Sequence, residues 1–545
     1  LEWIAAQAWC TGKTGMIGIS WGGFNGLQIA ARRPPSLKAI VTIASTDDRY
    51  ADDIHYMGGV MINDAMSWGG TMFAFNSRPP DPAIVGEGWD ELWKARLEAN
   101  DPWSMKWLSH QTRDAFWQHG SVCENYEDIQ CAVYAVGGWA DGYSNAVPRM
   151  LEGLKCPKKG LVGPWAHKYP NFALPGPRIG FLQETLRWWD YWLKDIDTGI
   201  MEESQYRVWM QDSAPPATQY QIRSGRWVAE PSWPSEHIRW EKSYLNQKRL
   251  TEHAGEAEQI PIHTPQTMGA RQGEWCGHGL DPDLPADQRE DDGCSVVFET
   301  DPLTEAVEIL GAPVLTLQLS SNQANAFIVA RLNDVAPDGA STRVTFGVLN
   351  LTHRNSHEFA EPLVPGETNT IRLQLNDVAQ VFPVGHRIRI ALSNTLWPLF
   401  WPSPDSVTLM LSTKESHLEL PIRSPRESDQ DLRPFDRPES SKSQAADQLE
   451  PPTYKRLVER DDVLGESRLT VVADSGMLRL TDLGWEHGSV SRQNYSIRDD
   501  EPNSGQIDLH WTMRFRRPDA DLNVRTETRS GLTSTPTHFH FTAEM

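Results

Sequence analysis

The chain has 545 residues, with 73 acidic and 51 basic side chains, and its net charge of −22 disfavours binding to nucleic acid or to an anionic membrane surface. That length exceeds one domain, and no apolar run approaches the about 18 residues needed to cross a bilayer, so a multidomain chain with no membrane partner is expected. Six cysteines (Cys10, Cys123, Cys131, Cys156, Cys276, Cys294) lie far apart without a C-x-x-C pair, so neither a zinc site nor a dense disulfide framework is indicated, and a reducing, cytoplasmic compartment is the simpler expectation.

The first seven residues, Leu1 to Gln7, begin inside an amphipathic helical pattern with no initiator methionine. A fragment truncated at its amino end is therefore expected, with any signal peptide out of view. Next comes an apolar run, Met16 to Ile19, leading through Gly18-Ile19-Ser20-Trp21-Gly22 into a helical stretch, Phe24 to Arg32. Strand, sharp turn and helix around G-x-S-x-G form the context of a nucleophile elbow, with glycines at 18 and 22 expected where a Cβ would not fit. Leu37 to Ala44 reads as a buried parallel strand. An acidic segment, Asp47 to Tyr56, then opens a Trp-, Met-, Gly- and Pro-rich insertion to about residue 128, expected as a helical cap.

Cys131 to Val136 is a second buried strand, ending in Gly137-Gly138-Trp139-Ala140-Asp141-Gly142, and Lys159 to Gly163 is a third, ending in Pro164-Trp165-Ala166-His167. A helix over about 181–194 follows. The chain order Ser…Asp…His, each after a strand, is that of an α/β-hydrolase. Past about residue 204 the texture becomes short alternating strands, expected as a jelly-roll β-sandwich over 204–423. A charged, Ser- and Pro-rich stretch, 424–452, reads as a solvated linker, and 453–545 as a small accessory β unit. The α/β-hydrolase domain is thus placed at 1–203, with its cap over about 47–128.

A serine hydroxyl needs a general base, and that base needs an acceptor to fix its tautomer. Ser20 is the expected nucleophile, His167 the base and acid, and Asp141 the orienting carboxylate; His55, His110 and His119 fall in the cap, where histidines are more often surface or core residues. The backbone N–H of Trp21 is the expected oxyanion donor. Trp139 and Trp165 either line an acyl pocket or belong to the core.

Gly-Ile-Ser-Trp-Gly-Gly, Asp-Asp-Ile-His-Tyr, Gly-Gly-Trp-Ala-Asp-Gly and Gly-Pro-Trp-Ala-His, followed by a β-rich domain, resemble the cocaine esterase and Xaa-Pro dipeptidyl-peptidase family, the CocE/NonD hydrolases. The resemblance covers about residues 1–420 and implies a capped α/β-hydrolase domain, a jelly roll beside the active site, and serine-dependent cleavage of an ester or amide by Ser20, Asp141 and His167. It also implies a tyrosine hydroxyl as second oxyanion donor, at a position preceding Leu1. Its α-amino-acid ester hydrolases hold a substrate ammonium with a carboxylate cluster. Asp53 matches one member of that cluster, whereas Gly142-Tyr143-Ser144-Asn145 after Asp141 supplies no acid. A solvated loop or helix N-terminus is an equal expectation for Asp47, Asp48, Asp52 and Asp53.

The substrate expected is a small ester, amide or short peptide, with no cofactor or metal, and a homo-oligomer stays open. The competing reading is a carbohydrate- or partner-binding β-sandwich protein with a vestigial hydrolase domain.

Overall fold

The computed structural model describes residues 1–545. Strands β1 (Thr14–Ile19) and β2 (Leu37–Ile43) pair in parallel, and the helix Trp21–Ala31 crosses between them, burying Phe24, Leu27 and Ala30 on the face towards the sheet. Every residue of β2 except Lys38 is buried, as a strand covered on both sides requires. After β2 the chain leaves the sheet for a hairpin, β3 (Tyr56–Met57) and β4 (Val60–Met61), and the cap helices, chief among them Asp64–Asn76, Trp89–Glu98 and Trp103–Leu108. It returns in β5 (Ala132–Gly138), β6 (Lys158–Gly163) and β7 (Tyr206–Gln211), all parallel, and β8 (Gly225–Glu230) closes the order β1-β2-β5-β6-β7-β8 antiparallel to β7.

Two strands beyond residue 203 therefore continue the hydrolase sheet. The change from helical to strand texture near 204 marks the end of crossover helices, not the end of the sheet, because β7 and β8 form a hairpin needing no helix between them. A single pair, Gln211 with Gln380, links β7 to the antiparallel domain that follows. That domain is β-rich, with Leu315, Leu317, Ile328, Leu332, Ile390 and Leu418 in its core. The strand Phe327–Val335 is buried on both faces: Ile328 and Leu332 look into the domain core, while Phe327 and Val329 pack with Met57, Val60, Tyr143 and Trp275. This second face sets the β domain against the loops at the carboxyl ends of the parallel strands.

The stretch 424–452 is pinned in its first half, contrary to the expected solvated linker. Arg423, fully buried, donates to Asp429 Oδ1 at 2.8 Å and to Glu230 Oε1 at 2.7 Å. Arg433 pairs with Glu184 and Glu203, and Phe435 packs on Trp227 with ring centroids 5.1 Å apart. The charges that suggest solvation are partners of acids on the hydrolase domain. Ala446–Glu450 is already a strand of the terminal unit, which is not small: it is an eight-stranded antiparallel sheet with strands of 14, 17 and 13 residues. One face covers the cap, where Leu509 and Ile507 join Met66, Trp107 and Trp401 in one apolar cluster and Ser77 Oγ bonds Thr526 Oγ1 at 2.9 Å.

The acidic segment after β2 is neither a solvated loop nor a helix terminus. Asp47, fully buried, is gripped by Arg149 at 2.7 Å and by the Tyr126 hydroxyl; Asp52 takes the other arm of Arg149 at 2.5 Å; Asp48 accepts from Arg113 Nε at 3.2 Å. Arg149 lies on the helix Ala146–Gly153 that follows the Asp141 loop, so this clamp ties the root of the cap to the segment behind that loop. Removing one partner of a buried pair strands its charge. Arg149→Met is accordingly expected to lower stability by about 3–5 kcal/mol, measured by denaturant unfolding, and a loss below about 1 kcal/mol would show the clamp to be dispensable.

Candidate active site

Ser20 sits between β1 and its helix with φ 56 and ψ −123, a backbone conformation that L residues rarely hold, costing about 1–3 kcal/mol and kept only where the surroundings enforce it. The enforcement comes from close backbone packing. A Cβ at Gly18 would lie on the carbonyl carbon of Gly22, and one at Gly23 would stand 2.8 Å from Gly18 O and 2.9 Å from Thr42 Oγ1. A Cβ at Gly22 meets nothing within 4 Å, so the steric demand expected there falls on Gly23 instead. Trp21 is the first residue of the helix, where a backbone N–H has no helical acceptor and points out of the turn. Its ring stands edge-on to Trp103 of the cap at 5.5 Å, which places the cap beside the elbow.

The parallel order β1-β2-β5-β6 puts the ends of β1, β5 and β6 on one edge of the sheet, and the loops after β5 and β6 are laced together there. Trp139 N–H donates to Gly163 O at 2.9 Å and Ala140 N–H to Trp165 O at 3.1 Å. Trp165 is 1% exposed, with its indole N–H given to Pro177 O at 2.8 Å and its ring filling the space above Gly163. Trp165 is thus a core wedge under the His167 loop. Trp139 gives its indole N–H to Trp209 O and borders a cavity of about 120 Å³ between this loop and the β domain, which Ser20 and His167 do not line.

His167 Nδ1 lies 3.0 and 3.2 Å from the two carboxylate oxygens of Asp141, and Tyr143 N–H donates to the same carboxylate at 3.2 Å. Asp141 is buried and His167 is mostly so, with side chains 1% and 12% exposed. Burial works against a charge on His167, but Cys276 and Asp141 beside it outweigh that and raise its pKa well above the ordinary histidine value. No hydrogen bond joins the Ser20 hydroxyl to His167; such bonds often tighten only when substrate is bound. Of the other histidines considered, His55 is buried against Trp107 and Trp117, His110 pairs with Asp114 at 2.6 Å, and His119 is exposed; none touches Asp141.

Asp53 is brought near this pair through Tyr143, whose hydroxyl donates to Asp53 Oδ1 at 3.0 Å and whose ring centroid lies 5.7 Å from that of His167. Its other oxygen faces Arg49 Nε at 3.4 Å and His55 Nδ1 at 3.6 Å, so both oxygens of Asp53 have partners. Burial raises its pKa to about 6, against the pull of Arg49.

The sequence reading missed a loop that lies beside His167. Trp275, Cys276 and Gly277 come from a loop of the β domain: Gly277 O accepts the His167 N–H at 3.0 Å, and Trp275 packs on Tyr143 at 5.2 Å. Over a hundred residues separate this loop from His167, and no local pattern marks it.

Residues 1–169 match the model of the X-Pro dipeptidyl-peptidase (S15 family), and residues 198–434 match that of the X-Pro dipeptidyl-peptidase C-terminal non-catalytic domain. A cocaine esterase of Rhodococcus sp. is 23% identical over 450 residues, covering 73% of this chain and 76% of its own. Among solved structures, an aminopeptidase from a marine sediment Thaumarchaeota archaeon superposes with a TM-score of 0.60 at 19% identity, covering 76% of this chain and 77% of its own. A CocE/NonD family hydrolase of Staphylococcus aureus does so with 0.59 at 16% identity, covering 78% and 74%. These two likenesses establish the shared fold, and the successive matches of a catalytic and a β-rich partner domain to one family establish the rest: the chain belongs to the cocaine esterase and X-Pro dipeptidyl-peptidase family of α/β-hydrolases, and it is a serine hydrolase.

Proposed function

We propose that the chain hydrolyses small acyl esters, with Ser20 as nucleophile, His167 as general base and acid, and Asp141 as its orienting acceptor. The observation that carries this reading is a serine at φ 56 on a strand-to-helix turn, on the same sheet edge as a buried histidine held on a carboxylate at 3.0 Å. With Nδ1–H given to Asp141, Nε2 is left with a lone pair to take the Ser20 proton as Oγ attacks the carbonyl carbon. The negative oxygen that develops is met by the Trp21 N–H, where a fixed dipole contributes about 3–4 kcal/mol to the transition state. His167 then gives its proton to the leaving group, and water repeats the sequence on the acyl-enzyme.

An ester with an uncharged acyl group suits the site better than a peptide held by its amino terminus. Both oxygens of Asp53 already have partners, and an ammonium would have to displace Arg49. The six cysteines are all free thiols, in keeping with a reducing cytoplasm; no helix is long and apolar enough to cross a membrane.

A panel of p-nitrophenyl acyl esters, aminoacyl anilides and X-Pro anilides tests the reading. Faster turnover of the esters, by kcat/KM, is expected; preference for X-Pro anilides would replace it with the peptidase assignment. The pH profile follows from His167. A base must be neutral to act, so kcat/KM should rise with pH and level off only above the ordinary histidine pKa of about 6.5. An acid limb at or below that value would contradict the raised pKa.

A further inference from the structure

Cys276 takes no part in the chemistry above, yet it lies against that chemistry's base. One carboxylate oxygen of Asp141, a ring nitrogen of His167 and Sγ of Cys276 all lie within 4.8 Å of one another. Thiolate, imidazole and carboxylate are the three donor types of zinc sites, and three protein ligands with a fourth position left for water is the pattern of an open one. Bonds of about 2.0–2.3 Å place the ligand atoms of a tetrahedral ion less than about 4 Å apart, within side-chain rotation of the spacing seen.

The Cys276 backbone is also held in place from both sides. Gly277 O accepts the His167 N–H at 3.0 Å, and Trp275 packs on Tyr143 and over Gly142, where a Cβ would meet its ring at 2.8 Å. Two residues further on, the His278 and Gly279 N–H groups both donate to Asp283 Oδ2, at 2.6 and 3.1 Å, closing the loop on itself. A thiol carried by a loop so anchored is preorganised toward the Asp141–His167 pair rather than passing near it by chance.

We infer that Asp141, His167 and Cys276 form a binding site for a soft divalent cation of the zinc class, and that filling it switches the hydrolase off. On binding, Cys276 releases its thiol proton to solvent and its sulfur bonds the ion; the His167 ring, its proton moved from Nδ1 to Nε2, gives the ion the Nδ1 lone pair, and one Asp141 carboxylate oxygen completes the set; no electron changes hands. With the ring proton on Nε2, His167 has no lone pair to offer the Ser20 proton. The switching half of the inference rests on His167 being the base; the binding half does not.

The test uses the full chain, stripped with chelator, and three readings: calorimetric titration with Zn²⁺, the electronic spectrum with Co²⁺, and ester hydrolysis. The parent should bind one Zn²⁺ per chain, show a thiolate-to-cobalt charge-transfer band, and lose ester hydrolysis in step with zinc occupancy, recovering it with chelator. Cys276→Ala should lose the band, bind zinc about 100-fold or more weakly, and keep hydrolysing esters in metal-free buffer, with the acid limb of kcat/KM moved to lower pH because one neighbour that raises the His167 pKa is gone. Cys276→Ser, which keeps the size of the side chain, should behave as Cys276→Ala while melting with the parent. Ser20→Ala should bind zinc as the parent does, so that a failure of the catalytic reading leaves the titration and the spectrum to decide the site. A parent that binds no zinc, a cobalt complex without the band, or binding or inhibition unchanged in Cys276→Ala would each overturn the inference.

Discussion

Ser20→Ala is expected to lower kcat for ester hydrolysis by about six orders of magnitude, the loss seen when the nucleophile of a serine triad is removed. The oxyanion donor at Trp21 and the substrate contacts stay, so a residual rate of about 10³–10⁴ over water should survive and KM should move little. Stability should change by no more than about 0.5 kcal/mol, because the Ser20 side chain is only partly buried and the strained backbone it sits on is enforced by Gly18 and Gly23, not by its hydroxyl. Initial-rate kinetics with thermal melting separate the two effects. Retention of more than about one hundredth of the parent kcat, with melting unchanged, would remove Ser20 from the mechanism.

Asp141→Asn is the second large effect, expected at about 10⁴ in kcat. The carboxylate accepts from His167 Nδ1 and from Tyr143 N–H, and an amide can present its NH₂ to the ring instead. The imidazole would then carry its proton on Nε2, facing the nucleophile with no lone pair to offer. Because Asp141 is one of the two neighbours that raise the His167 pKa, the acid limb of kcat/KM should also move to lower pH in this variant. A variant that loses activity with no shift in the limb would point to a structural role for Asp141, through the Tyr143 N–H it holds. A loss under tenfold would detach Asp141 from the proton transfer altogether.

The pieces of this site that could be read from the sequence are those encoded locally. A run such as Leu37–Ile43 announces a buried strand by itself, and G-x-S-x-G between strand and helix announces a strained turn. Asp141 and His167 stand out because each follows such a run. What was not legible depends on partners far along the chain. Asp47 and Asp52 look solvated until Arg149 arrives from about a hundred residues away, and so does Asp53 until Tyr143 arrives from ninety. Trp165 carries the same local signal whether it lines a pocket or wedges a loop; only the close approach of Gly163 decides. β7 and β8 resemble sandwich strands because pairing, unlike alternation, leaves no local trace. The terminal sheet showed its strands but not its purpose as a brace on the cap, since each contact with the helix Asp64–Asn76 joins segments over 400 residues apart.

The most direct measurement is labelling of the full chain with a fluorophosphonate, followed by peptide mapping of the adduct. Such reagents capture a serine only when its hydroxyl is activated by a base. A single adduct on Ser20, lost in Ser20→Ala and strongly slowed in Asp141→Asn, is the predicted result. An adduct on another residue, or none on a chain that hydrolyses esters, would contradict the assignment of Ser20 as the nucleophile.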